Sequence, residues 1–155
     1  MKARDVMARK VYTVRPDEPI VKAISVLCRH RISGVPVVDC ARRLVGLISE
    51  RDILHAMYPA RAELAPKRNG GRRPPPLPNL ARIRARDIMV QQVITASPDT
   101  DLLQLASLMA VRKIRRVPIV EGQRLVGIVS QGDVHRGIFS KRVVGRPAAG
   151  AEAAG

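Results

Sequence analysis

Aromatic side chains are almost missing from this chain. Tyr12, Tyr58 and Phe139 make up 2% of 155 residues, and there is no tryptophan. Any core must therefore be built from aliphatic residues, and the stacking platforms that bind single-stranded nucleic acid are excluded. Cysteine is scarce as well. Cys28 falls on an apolar helical stripe and Cys40 in a polar turn, with no CxxC, so the pair reads as reduced, structural thiols. No apolar run approaches the ~18 residues of a membrane span. The opening Met1-Lys2-Ala3-Arg4-Asp5 lacks the apolar stretch of a secretory signal. These absences point to a soluble, cytoplasmic protein with no membrane association. His30, His55 and His135 match no metal or triad spacing, and neither a phosphate loop nor a paired-carboxylate constellation occurs. The expectation is no catalytic residue, no metal, no required cofactor and no enzyme activity.

Acidic residues are few, 13 against 28 basic ones, for a net charge of +15. The excess is local. Residues 59–86 carry eight basic side chains and one acidic, and hold Asn69-Gly70-Gly71-Arg72-Arg73-Pro74-Pro75-Pro76. Breakers and charge at this density predict a disordered basic linker over 58–83 with some polyproline II character. The Ala/Gly-rich residues 141–155 read as a disordered tail. A cationic segment attracts phosphate backbones, so a nucleic-acid-associated basic protein is the alternative function. Against it stand the missing aromatics and the lack of any helix-turn-helix or RNA-binding signature.

What the chain does contain is a repeat. Asp5-Val6-Met7 recurs as Asp87-Ile88-Met89, Val11–Asp17 as Val93–Asp99, and Val35-Pro36-Val37-Val38-Asp39 as Val117-Pro118-Ile119-Val120-Glu121, all offset by 82 residues. One deletion later, Leu44–Ser49 matches Leu125–Ser130 and Asp52 matches Asp133. Periodicity gives the elements of each copy. Residues 11–14 are β-branched and predict a strand. Ile20, Ala23, Ile24, Leu27 and Cys28 form one face of a helix, with Asp17 as N-cap and Pro19 in the first turn. Leu102, Leu105, Ala106 and Met109 repeat that stripe behind Asp99. Residues 35–38 and 44–48 are aliphatic runs across a polar turn, read as a hairpin buried on both faces or nearly so. A second helix follows with Ile53, Leu54 and Met57 as its apolar face. The fold class is α/β, a βαββα unit in two copies, over 1–57 and 84–140. Each copy is small enough to be marginal alone.

Both copies carry Ser-x-x-Asp where the last strand meets the last helix: Ser49-Glu50-Arg51-Asp52 and Ser130-Gln131-Gly132-Asp133. A helix start offers unpaired N–H groups and a positive dipole end to a phosphate. A Ser hydroxyl can add a donor, and the Asp can accept from both ribose hydroxyls. The same spacing is also a helix-capping pattern, and either role fits.

Taken together, the V-P-h-h-(D/E) strand, the L-V-G-h-h-S strand and the following S-x-x-D, twice in order, resemble a cystathionine-β-synthase-type (CBS) domain pair, or Bateman module. The resemblance implies two repeats packed with pseudo-twofold symmetry into one module. It also implies a regulatory, signal-transducing function in which an adenosine-containing ligand (AMP, ADP, ATP, S-adenosylmethionine or, in some members, a dinucleotide) binds in clefts between repeats. Occupancy would then be passed to a regulated partner protein. On this resemblance one cleft takes Tyr12, Thr13 and Ile32 with Ile128, Ser130 and Asp133, and adds Arg115 and Arg116 for phosphate. Tyr12 could stack on adenine or obstruct it, and the two arginines also fit a solvated basic surface. The related cleft takes Leu47, Ser49 and Asp52 with Ile94, Thr95 and Ile114. There Ser33 and Gly34 stand at the arginines' positions, which makes the Asp133 cleft the better phosphate site. Stand-alone members suggest a homodimer formed through exposed helix faces, with Ile53, Leu54 and Met57 as candidates for the interface or for the core.

Overall fold

The computed structural model describes residues 1–57 and 78–143. In chain order these form α1 (Ala3–Val6), α2 (Ile20–His30), β1 (Gly34–Val38), β2 (Leu44–Ser49), α3 (Glu50–Met57), α4 (Ala85–Ile88), α5 (Leu102–Arg112), β3 (Arg116–Glu121), β4 (Arg124–Ser130) and α6 (Gln131–Val143). The fold is mixed α/β, with an antiparallel hairpin in each repeat, β1–β2 and β3–β4. Most of the expected basic linker lies outside the described residues. Its last part holds a 3-10 turn at Leu80–Arg82, capped by the Asn79 side chain. Helix α6 runs three residues into the expected tail, and the tail from 144 onward lies outside the described residues.

Two compact units result, and their borders cut across the sequence repeats. A terminal unit contains Met1–Val11 with the chain from Ile94 onward, and a central unit contains Tyr12–Val93. Each repeat's opening segment is thus built into the unit that holds the other repeat's hairpin. In the terminal unit the Ala3 N–H donates to Thr100 O (2.8 Å), Arg4 N–H to Pro98 O (3.0 Å) and Leu102 N–H to Met1 O (2.9 Å). The central unit makes the same three bonds from Ala85 to Glu18, from Arg86 to Pro16 and from Ile20 to Ile83. Short helices such as α1 and α4 are not stable by themselves, because nucleation costs more than one turn returns. A carboxylate supports each start: Asp5 accepts the Lys2 N–H (2.7 Å) and Asp87 the Arg84 N–H (2.8 Å).

The D-h-M motif is explained by what the methionine covers. A Cβ added at Gly127 would lie 2.6 Å from the Met7 sulfur, and one at Gly46 would lie 2.5 Å from the Met89 sulfur. The glycine of L-V-G-h-h-S is therefore the slot that admits the methionine of the segment laid across it. That segment is tied on by antiparallel bridges, Ala8 to Ile128 and Val90 to Leu47. Two aliphatic cores follow. In the terminal unit Ala3, Leu102, Leu105, Met109, Val117, Ile119, Val129 and Val134 are buried together. In the central unit Val14, Ala23, Leu27, Val35, Val37, Ile48, Ile53 and Ala85 are.

Several expectations need correction. Residues 11–14 do not form a strand. Val14 alone bridges Val37, as Ala96 alone bridges Ile119, because the next rung of each parallel ladder falls on Pro16 or Pro98, which has no N–H to donate. Asp17 is not the cap of α2: Pro19 stands at the N-cap, its ψ of 147° already extended. In the second copy the cap is Asp101, which accepts the Leu103 N–H at 2.9 Å. Asp99 instead pairs with Lys2 and Arg4. Cys28 is exposed, since the buried stripe of α2 is Ile20, Ala23 and Leu27, and one residue further turns the side chain ~100° away. Of the helix residues left open between core and interface, Leu54 is 56% exposed and Ile53 is buried. The hairpin is asymmetric in burial: β1 is buried throughout, but only Gly46 and Ile48 are buried in β2. Between these strands Asp39 fastens the turn, accepting from the Ala41 and Arg43 N–H groups at 2.9 Å each. The Arg43 backbone bond, followed by its side chain, holds the Asp39 carboxyl below the usual range.

Candidate functional site

Both Ser-x-x-Asp elements adopt one geometry. In the central unit Ser49 ends β2, and its N–H and hydroxyl both donate to Asp52 Oδ2 at 2.7 Å, while the Asp52 N–H returns to Ser49 Oγ at 3.3 Å. In the terminal unit the Ser130 N–H (2.8 Å) and hydroxyl (2.6 Å) donate to Asp133 Oδ2, and the Asp133 N–H returns at 3.2 Å. This is a reciprocal cap. The capping role is thus present in both copies, and it uses one oxygen of each carboxylate. The other oxygen, Oδ1, is where the copies differ. Asp133 Oδ1 accepts from Arg136 Nη2 at 2.5 Å, whereas Asp52 Oδ1 has no partner among the described residues. Neither serine nor either aspartate is fully buried.

The strand beside each cap carries the remaining candidates. Arg116 lies directly across the hairpin from Ser130, and the Arg115 carbonyl accepts the Gln131 N–H at 3.0 Å. Gln131 Nε2 also reaches Ile114 O (3.2 Å), which locks the 114–116 corner against the start of α6. Gly132 supplies a first-turn N–H with no side chain beside it, where the central unit has Arg51. The central unit repeats the corner without the charge. Gly34 lies across from Ser49, and Ser33 O accepts the Glu50 N–H at 3.1 Å.

Each unit therefore gathers one homologous set. The terminal unit brings Ile114, Arg115, Arg116, Ile128, Ser130 and Asp133 around the start of α6, with Ile94 and Thr95 leading into the Ala96 bridge. The central unit brings Ile32, Ser33, Leu47, Ser49 and Asp52 around the start of α3, with Tyr12 and Thr13 leading into the Val14 bridge. Ile128 is buried, Leu47 half-buried, and Arg115 exposed. Tyr12 is already stacked within the central unit, its ring 3.5 Å from that of His30 and inclined by 12°. Two residues that matter were missed in the sequence: Arg136, signalled only by its i,i+3 spacing from Asp133, and Gln131. Among the described residues no group of three or more His, Cys, Asp or Glu could hold a metal ion. No helix there is long and apolar enough to cross a membrane.

The CBS domain family matches residues 3–59 and 85–140, and the chain belongs to that family. A CBS domain-containing protein of Bacillus subtilis is 31% identical over 131 residues, covering 84% of this chain and 81% of the relative. The chain also matches an inosine-5′-monophosphate dehydrogenase of Methanocaldococcus jannaschii, of whose length it spans 23%. A solved CBS domain pair in complex with 5′-methylthioadenosine and S-adenosyl-L-methionine is 28% identical with a TM-score of 0.69, over 91% of this chain and 98% of that one. CBSX2, solved with AMP, is 25% identical with a TM-score of 0.72 over the same shares.

Proposed function

We propose that this chain is a non-catalytic sensor of an adenine nucleotide (AMP, ADP or ATP), and that the terminal unit is its better phosphate site. Arg115 and Arg116 at the mouth of the α6 start carry the proposal, because they add two cations where a helix N-terminus already favours an anion. The Gly132 N–H donates to phosphate, Asp133 Oδ1 accepts from ribose while Ser130 holds the other oxygen of that carboxylate, and Ile128 lies on the adenine side. The central unit's Ser33, Leu47, Ser49 and Asp52, which lack that charge, form the weaker site. Structures of related pairs with adenosine-containing ligands support the ligand class. The nucleic-acid alternative rests on basic residues that lie mostly outside the described chain, and no described feature favours it.

The test is calorimetric titration of AMP and ATP. A ligand at ~100 times its dissociation constant stabilises the folded protein by about 2.7 kcal/mol, so a melting screen first selects the nucleotide. Charge-assisted hydrogen bonds contribute about 1.5–3 kcal/mol each, so Arg115→Ala/Arg116→Ala should weaken ATP by about two orders of magnitude. Ser33→Ala should change it little. Equal losses from Asp52→Ala and Asp133→Ala would remove the asymmetry, and no adenine nucleotide binding would remove the function.

Occupancy is proposed to reach a regulated protein partner through a homodimer. Exposed Leu54, Leu103 and Phe139 give helices α3, α5 and α6 the apolar faces such an assembly buries. Sedimentation should give a dimer for the wild type and a monomer for Leu54→Glu/Phe139→Glu. A monomeric wild type would refute it.

A further inference from the structure

We infer that Arg136 makes the terminal unit selective for phosphorylated over neutral nucleosides, by holding the Asp133 oxygen that a ribose needs until an anion draws the guanidinium away. The inference rests on the nucleotide-binding reading above and adds a selectivity to it. Both oxygens of Asp133 are engaged, Oδ2 by Ser130 and Oδ1 by Arg136 at 2.5 Å. A ribose diol must share or displace the Arg136 contact. A neutral nucleoside gives the guanidinium nothing in return, whereas a 5′-phosphate offers it a second anionic partner in the fork geometry it favours.

The guanidinium has room to make that exchange. Its side chain is 75% exposed while that of Asp133 is 20% exposed, so the charged head, not the carboxylate, is the partner with open space to turn into. The pair lines a solvent-open cavity of about 610 Å³, walled also by Met1, Asp5, Val6 and Phe139, so the guanidinium faces a second carboxylate there. The central unit supplies the control within the same chain. Asp52 has the same cap, its Oδ1 has no partner among the described residues, and His55 stands where Arg136 does in the repeat. That copy should accept adenosine without discrimination.

The experiment titrates adenosine and AMP into the full chain carrying Asp52→Ala, which silences the central unit, with and without Arg136→Ala. With Arg136 present, AMP should bind at least about tenfold more tightly than adenosine. Arg136→Ala should reduce that ratio about tenfold, by tightening adenosine as well as weakening AMP. Arg136→Lys, which keeps the charge but not the fork, should fall between. The gain for adenosine is the decisive readout. If Arg136→Ala weakens AMP and leaves adenosine unchanged, Arg136 is only a phosphate contact and the gate is overturned. An unchanged ratio overturns it too, while AMP binding lost in Asp133→Ala still upholds the nucleotide site. A wild type that binds neither ligand brings down both readings.

Discussion

Replacing Ala3 with Asp should destabilise the hairpin of the second repeat, more than a hundred residues away, and spare the hairpin of the first. Ala3 is 0% exposed and packed among Leu102, Leu105, Met109, Val129 and Val134. A carboxylate there has no cation within the core and must lose its water, which costs at least about 3 kcal/mol. That is a large share of the 5–15 kcal/mol that holds typical folded chains together. Hydrogen exchange should locate the damage: amides of Val117, Ile119 and Val129 lose protection first. Ala85→Asp is the mirror experiment. Ala85 is also 0% exposed, but it packs with Val35, Val37 and Ile48, so protection should fall there instead. If each substitution loosened its own repeat's hairpin, the exchange of opening segments between units would be wrong.

Gly127→Val should cost about 3 kcal/mol, the upper end for overpacking. Its Cβ would fall 2.6 and 3.0 Å from the Met7 sulfur and Cγ, and 3.3 Å from the backbone oxygen of Ala8, which cannot swing aside as a side chain can. A second substitution makes the prediction specific. Met7→Ala opens the slot and should restore at least half of the loss, so the double mutant is more stable than Gly127→Val alone. Met89→Ala should give no such rescue, because Met89 fills the corresponding slot at Gly46. Urea unfolding of the four variants provides the cycle. Simple additivity of Gly127→Val with Met7→Ala would show that the methionine does not occupy that slot.

The repeat, the hairpins and the aliphatic stripes of α2 and α5 were legible in the sequence, because periodicity and β-branched runs report burial directly. Val35-Pro36-Val37-Val38 had no alternative to an interior strand. Caps were less legible. Asp17 and Asp99 looked suitable, yet one lies in a turn and the other is held by Lys2 and Arg4, while Pro19 and Asp101 start the helices. Cys28 was misjudged, and Leu54 was left open between core and interface, because a stripe read at 100° per residue leaves its edges undefined, and packing decides them. At the candidate site the Ser-x-x-Asp element was visible with both of its meanings, and its capping half is satisfied atom by atom. The Arg136 contact was hidden. An Asp-x-x-Arg spacing on a helix is common, and only the geometry shows which carboxylate oxygen it takes. Hidden too was the pairing of each D-h-M with the other copy's glycine, since repeats announce their likeness and not their partners.

The crossed assignment of segments sets an order of events on the ribosome. The central unit has every described piece in hand once Val93 has emerged, but Met1–Val11 must wait for Leu102–Val134 before its own slot exists. At roughly 5–20 residues per second the leading segment spends seconds unpaired while its neighbour can already close. During that interval Ala3, Val6 and Met7 are apolar groups without a home, and a nascent-chain chaperone would find its substrate in that waiting segment.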